Sequence, residues 1–123
     1  MEGRGERLPR EARIRLGSEI RELLERGKRK KTPNVEVFFA ASPASRSRLG
    51  LIVPKHGRKI VERNLLKRRL REIGRRSVLP GLDASGVHAD VLLRARRQGY
   101  GAAYGELEEE VRSAVEELCS QEF

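Results

Sequence analysis

The sequence predicts a single small α+β domain, ordered helix, strand, strand, helix, strand, helix, with the helices on one side of a small mixed sheet. Apolar residues recur at helical spacing in three windows, near residues 19–26, 61–75 and 102–120. Three shorter strings, at 35–39, 48–53 and 90–95, alternate or run together in β-forming residues. With 123 residues, 37% of them hydrophobic and 4% aromatic, the chain has enough apolar material for one modest core of Leu, Ile and Val.

The charge-alternating start (Arg4, Glu6, Arg7, Arg10, Glu11, Arg13, Arg15) has no apolar run, so it reads as neither a secretory signal nor a packed element. Residues 1–16 are expected to be a basic, flexible arm and residues 17–121 the folded domain. Ser18 is placed to cap a helix over Glu19–Arg26, with Ile20, Leu23 and Leu24 on one face and Gly27 at its end. A basic run, Lys28 to Lys31, and a Thr32-Pro33-Asn34 turn lead into the strand Val35-Glu36-Val37-Phe38-Phe39. Ser and Pro between residues 41 and 47 suggest a hairpin onto a second strand, Arg48–Val53, ended by Pro54; the two are expected to pair antiparallel. The middle helix spans about Val61–Arg75. Pro80, Gly81, Ser85 and Gly86 then read as a loop. The apolar run in Asp90–Ala95 predicts a strand buried on both faces. The last helix, about Ala102–Ser120, shows Leu107, Val111, Ala114, Val115 and Leu118 at helical spacing with glutamates opposite.

Charge narrows the function. The net charge is +9, from 27 Lys and Arg against 18 Asp and Glu. It is unevenly spread: residues 55–76 hold ten basic and two acidic side chains, whereas 106–123 hold seven Glu and only Arg112. Arginine, which outnumbers lysine 21 to 6, presents a planar fork suited to phosphate. The expected partner is a polyanion. No apolar stretch reaches the roughly 20 residues of a bilayer span, and the single Cys119 leaves neither an internal disulfide nor a cysteine zinc cage. A cytoplasmic protein with no membrane association and no small-molecule substrate is the expectation.

No residue set suggests side-chain catalysis. His56 and His88 stand in loops without a Ser, Cys or carboxylate placed as a triad or ligand set, so neither a catalytic residue nor a metal site is assigned. His56 and Arg94, Arg96 and Arg97 read either as additions to a polyanion-binding surface or as plain solvated groups, and Tyr100 and Tyr104 read as packing residues. The middle helix carries the strongest signal. At about 100° per residue, Arg63, Lys67, Arg71, Asn64, Arg75 and Arg68 fall within an arc of about 140°, while Leu66, Leu70 and Ile73 share the opposite side. Like charges so placed repel, each pair costing a few tenths of a kcal/mol. A cationic arc left unrelieved is the pattern of a phosphate-binding face.

The strings Leu49-Gly50-Leu51-Ile52-Val53-Pro54-Lys55, Val61-Glu62-Arg63-Asn64 and Lys67-Arg68-Arg69-Leu70-Arg71-Glu72 resemble the bacterial ribonuclease P protein family, from Ser18 to the Tyr104-Gly105-Glu106-Leu107 start of the last helix. The resemblance implies a protein subunit that does not perform the chemistry. A large catalytic RNA removes the 5′ leader of precursor tRNA with Mg²⁺ held in the RNA-containing holoenzyme, and the protein itself binds no cofactor. Its partners would be ribonuclease P RNA and precursor tRNA. It further implies an unusual left-handed β-α-β crossover, an RNA-binding set of Lys55, Arg58, Lys59, Arg63, Asn64, Lys67, Arg68, Arg71 and Arg75, and a leader cleft of Ile20, Leu24, Phe38 and Arg13. Leu65 stands where the family signature has Arg, and Ile20 and Leu24 where its first helix has Phe. A ribosomal or other RNA-assembly module, and a DNA-binding regulator reading a groove with the basic helix, are the alternative classes.

Overall fold

The structure is a computed structural model, described here over residues 8–121. Helix α1 (Gly17–Arg26) is followed by strands β1 (Lys28–Lys31), β2 (Val35–Ala41) and β3 (Arg48–Ile52). Helix α2 (Ile60–Ile73) continues through a π-helical turn, Gly74–Val78, into α3 (Leu79–Ala84); strand β4 (Ala89–Ala95) and helix α4 (Tyr104–Ser120) complete the chain. The sheet runs β1-β2-β4-β3. β1 and β4 flank β2 antiparallel, and β3 lies parallel to β4, so the sheet is mixed and the domain α+β as the sequence predicts. The parallel pair joined through α2 and α3 is a β-α-β unit.

Four expectations need correction. β2 and β3 do not form a hairpin; β4 lies between them and bonds to both. The run Lys28–Lys31 is a strand, paired with β2 across the Thr32-Pro33-Asn34 turn, where the Thr32 hydroxyl donates to the Val35 carbonyl at 2.7 Å. The segment around Pro80 is helical: Pro80 is the second residue of α3, directly after the π-helical turn, whose wider register has already broken the α-helical bond ladder that its missing N–H would interrupt. Helices also cover both faces of the sheet. α2, α3 and α4 pack against Val35, Val37, Phe39, Leu49, Val91 and Leu93, whereas α1 packs through Leu23, Ile20 and Leu24 on Phe38 and Leu92 of the other face. β4 is buried on both sides, Val91 and Leu93 facing one layer and Leu92 the other.

The expected N-terminal arm is only partly tested, since residues 1–7 lie outside the described residues. Residues 8–16 are no free arm. Leu8, Ala12 and Ile14 are buried, and the Ile14 N–H donates to the Leu49 carbonyl at 2.9 Å, laying this segment parallel to β3 along the sheet edge. α1 itself begins at Gly17 with Leu16 as its N-cap residue, so Ser18 lies inside the first turn. Gly27 closes it, its N–H donating to the Leu23 carbonyl at 2.9 Å.

Leu66, Leu70 and Ile73 of α2 are all buried, which fixes the helix with its cationic arc outward. The approach ends in close contact at Gly74: a Cβ there would lie 2.3 Å from Leu49 Cδ2 and 2.9 Å from its Cδ1. Leu49 is itself buried and cannot move aside freely. Gly74→Ala should therefore lower stability by about 1 kcal/mol net, overpacking of about 1–3 kcal/mol outweighing a helix-propensity gain near 1. Urea unfolding checks this; a more stable variant would show that the contact relaxes.

Candidate nucleic-acid interface

The connection from β3 to α2 sets up the cationic surface. Residues 55–58 make a tight turn in which the Arg58 N–H donates to the Lys55 carbonyl at 2.8 Å. Both central residues, His56 and Gly57, have positive φ, 49° and 78°, the left-handed conformation that a two-residue turn of this hand requires and glycine adopts without strain. Tyr100 braces the turn: its hydroxyl donates to the Pro54 carbonyl at 2.6 Å, and its ring meets His56 edge-on at 6.4 Å while the Arg58 guanidinium lies over it at 5.2 Å. Tyr100 thus packs, as the sequence suggests, and Tyr104 turns its hydroxyl into the protein without a hydrogen-bond partner. Burial raises the Tyr104 hydroxyl pKa, with the Glu108 charge adding to the shift.

At the start of α2 the Lys59 N–H donates to Glu62 Oε1 at 3.0 Å, half of a capping box. That bond, helped by the Arg58 charge, holds the exposed Glu62 carboxyl below the usual range. The arc beyond it is as the helical period implies. Asn64 and Arg68 are exposed, Lys67 and Arg71 half-buried, and Lys55 and Lys59 exposed at the turn. Two members of the RNA-binding set are occupied within the protein. Arg58 pairs with Glu62 at 3.3 Å, and Arg75 with Glu72 at 2.6 Å, a contact that lowers the Glu72 pKa. Arg63 is half-committed, its Nε donating to the Val53 carbonyl at 2.7 Å. Among the described residues Lys55, Lys59, Arg63, Lys67, Arg68 and Arg71 have no carboxylate within ion-pair distance, although the Lys59 charge also acts on Glu62.

On the opposite side of the sheet lie the residues of the expected cleft. Ile20 and Leu24 are half-buried on α1, and Arg13 is exposed at the sheet edge, its Nε donating to the Leu8 carbonyl at 3.0 Å. Phe38 departs from expectation: it is 1% exposed, at the centre of the small core with Ile14, Leu23 and Leu92. The Arg94 guanidinium lies over its ring at 5.2 Å. Phe38 is thus the floor of this face and offers no open stacking surface.

Two groups here escaped the sequence reading. By the strand register, Arg29, Glu36 and Arg94 lie on the Phe38 face. Glu36 pairs with Arg94 at 2.8 Å and Arg29 at 3.7 Å. The second group is Arg48, whose Nε and Nη2 reach Asp90 at 2.9 and 2.7 Å, with Nη2 also 3.2 Å from Glu19 of α1. The hydrogen bonds that Arg48 donates to Asp90 hold its guanidinium firmly charged. The available signal was Asp90 itself, a carboxylate opening an apolar strand, which has to find a cation once buried. Arg96 donates to the Thr32 carbonyl at 2.7 Å, a structural use, while Arg97 stays exposed.

Among the described residues no group of three or more His, Cys, Asp or Glu is placed to hold a metal ion, and no helix is long and apolar enough to cross a membrane. The family described as Ribonuclease P matches residues 8–119. The chain is 34% identical over 110 residues to a ribonuclease P protein component of Pseudarthrobacter chlorophenolicus, covering 89% of this chain and 78% of that one. It is 39% identical over 100 residues to that of Desulfovibrio desulfuricans, covering 78% and 72%. The ribonuclease P protein of Thermotoga maritima superposes with a TM-score of 0.70 at 24% identity, over 85% of this chain and 96% of that one.

Proposed function

The chain belongs to the ribonuclease P protein family, and on that premise we propose that it binds ribonuclease P RNA through the α2 face and the 5′ leader of precursor tRNA through the α1–sheet face. The observation that carries the reading is the set of cations at residues 55–71 without carboxylate partners. Solvated surfaces pair such charges, and a cluster held together against its own repulsion is stabilised by an anionic partner. Arg63 links the two faces, bonding to Val53, one residue beyond Ile52, which packs against the Phe38 core. The glutamates of α4, among them Glu106, Glu109 and Glu116, are exposed and turn RNA away from that side.

In this reading the protein contributes binding and register in a cytoplasmic ribonucleoprotein. The RNA with its Mg²⁺ performs the hydrolysis. Adding the protein to a bacterial ribonuclease P RNA and precursor tRNA should yield mature 5′ ends at Mg²⁺ too low for the RNA alone, while protein without RNA leaves the substrate intact. Cleavage by rigorously nuclease-free protein alone would overturn the division of labour. The leader assignment has its own test: Arg13→Ala with Ile20→Ala, both at accessible positions, should lower holoenzyme affinity for precursor tRNA by about tenfold and leave that for mature tRNA unchanged, as one lost charge contact and one apolar contact imply. Equal weakening of both substrates would place the leader elsewhere.

A further inference from the structure

We infer that the first two turns of α2 recognise an unpaired nucleobase of the RNA through an apolar ridge of Val61 and Leu65. The inference rests on the RNA-binding reading above and deepens it. Large apolar side chains are seldom left in water without use when they cluster. Val61 is 73% and Leu65 37% exposed. Four residues apart on one helix, they are neighbours on its surface. The helical period puts them beside Arg68 and Asn64, at the margin of the cationic arc.

The immediate surroundings narrow the occupant. Leu65 walls a hollow of about 100 Å³ together with Leu66, Arg69, Glu62 and Tyr100. Glu62 is already engaged by the Lys59 N–H and Arg58, and on its other side the ridge is bordered by Arg68, which has no acidic partner among the described residues. That border selects a polyanion, and the ridge selects a polyanion that shows an apolar face. Regular A-form duplex does not, because its bases are stacked inside and its minor groove displays hydroxyls and phosphates. A splayed base of a loop or bulge does, with a flat face to cover Val61 and Leu65 and an edge to reach the hollow beside Arg69.

Apolar contact and phosphate contact differ in their response to salt, which makes the idea testable. Val61→Ala with Leu65→Ala keeps a good helix former at two exposed positions, so the fold should be unchanged by circular dichroism. Binding of wild type and variant to a bacterial ribonuclease P RNA would be measured across a salt series, with dimethyl sulfate reactivity of the bases read in each complex. The variant is expected to bind about tenfold more weakly at every salt concentration with the same log–log slope, and at least one base protected by wild type becomes reactive. Unchanged affinity, a weaker affinity accompanied by a shallower slope, or the absence of any base that loses protection overturns the inference while leaving the RNA-binding reading intact. Failure of the wild type to bind this RNA at all overturns both.

Discussion

Replacing Lys67, Arg68 and Arg71 together by Ala should weaken binding to ribonuclease P RNA roughly 100-fold at about 0.15 M salt. Each phosphate contact contributes about 0.7–0.9 to the slope of log K against log salt. If the six cations without carboxylate partners each neutralise a phosphate, the wild-type slope is about −4 to −5, and the triple variant should lose about 2 to 3 of it. The same arithmetic gives the loss in affinity, about fivefold per contact. All three side chains lie away from the buried stripe of Leu66, Leu70 and Ile73, so helicity by circular dichroism should be unchanged. Arg63 is a poorer choice for this experiment. Its bond to the Val53 carbonyl ties α2 to the end of β3, and its removal mixes a loss of about 1 kcal/mol in stability with any loss in binding. A triple variant with wild-type affinity or wild-type slope would mean that the RNA lies on another surface.

The largest effect on stability is expected from Arg48→Ala. Arg48 and Asp90 have side chains only 12% and 9% exposed, and they meet through two hydrogen bonds, with Glu19 of α1 joining from above. Deleting the guanidinium strands a carboxylate in the protein interior, a change that costs about 3–5 kcal/mol when a buried pair is broken from one side. For a domain of this size that is a fall of roughly 12–20 °C in Tm. Arg48→Met with Asp90→Asn, which removes both charges and keeps the volume, should recover more than half of the loss. If the single variant melts within about 2 °C of wild type, the network is a surface pair in energetic terms.

Much of this was legible in the sequence where a local pattern governs the outcome. The periods of α1, α2 and α4 follow from their apolar stripes, and the cationic arc is a direct consequence of the spacing of Arg63, Lys67 and Arg71. What was hidden depends on long-range partners. Lys28–Lys31 has no intrinsic preference for a strand; it becomes one because β2 presents an open edge beside it, tertiary context overriding propensity. The expected β2–β3 pairing followed from their adjacency in sequence, and failed because β4 supplies a strand with an apolar centre, Val91-Leu92-Leu93, that both can bury against. Nothing local tells that Leu8, Ala12 and Ile14 are core residues in a charge-rich segment. On α2, residue types sufficed to separate a cationic outer face from the buried stripe, whereas the burial of Phe38 under Arg94 and the Arg48–Asp90–Glu19 network join residues tens of positions apart.

The strand order β1-β2-β4-β3 has a consequence for how the chain is born. At synthesis rates of about 5–20 residues per second, β1 and β2 can zip into a hairpin as soon as they leave the ribosome. β3 then has only the short bridge from residues 13–14 beside it until β4 emerges, more than thirty residues later. During those seconds Phe39, Leu49 and the apolar side of α2 are all waiting for the same strand. Arrival of Val91, Leu92 and Leu93 joins the two halves of the sheet, and α4, the last element made, then closes the larger layer over Val91 and Leu93, so completion of the core should be a late step, and a polypeptide stopped before residue 89 would expose its apolar surfaces to chaperones and proteases.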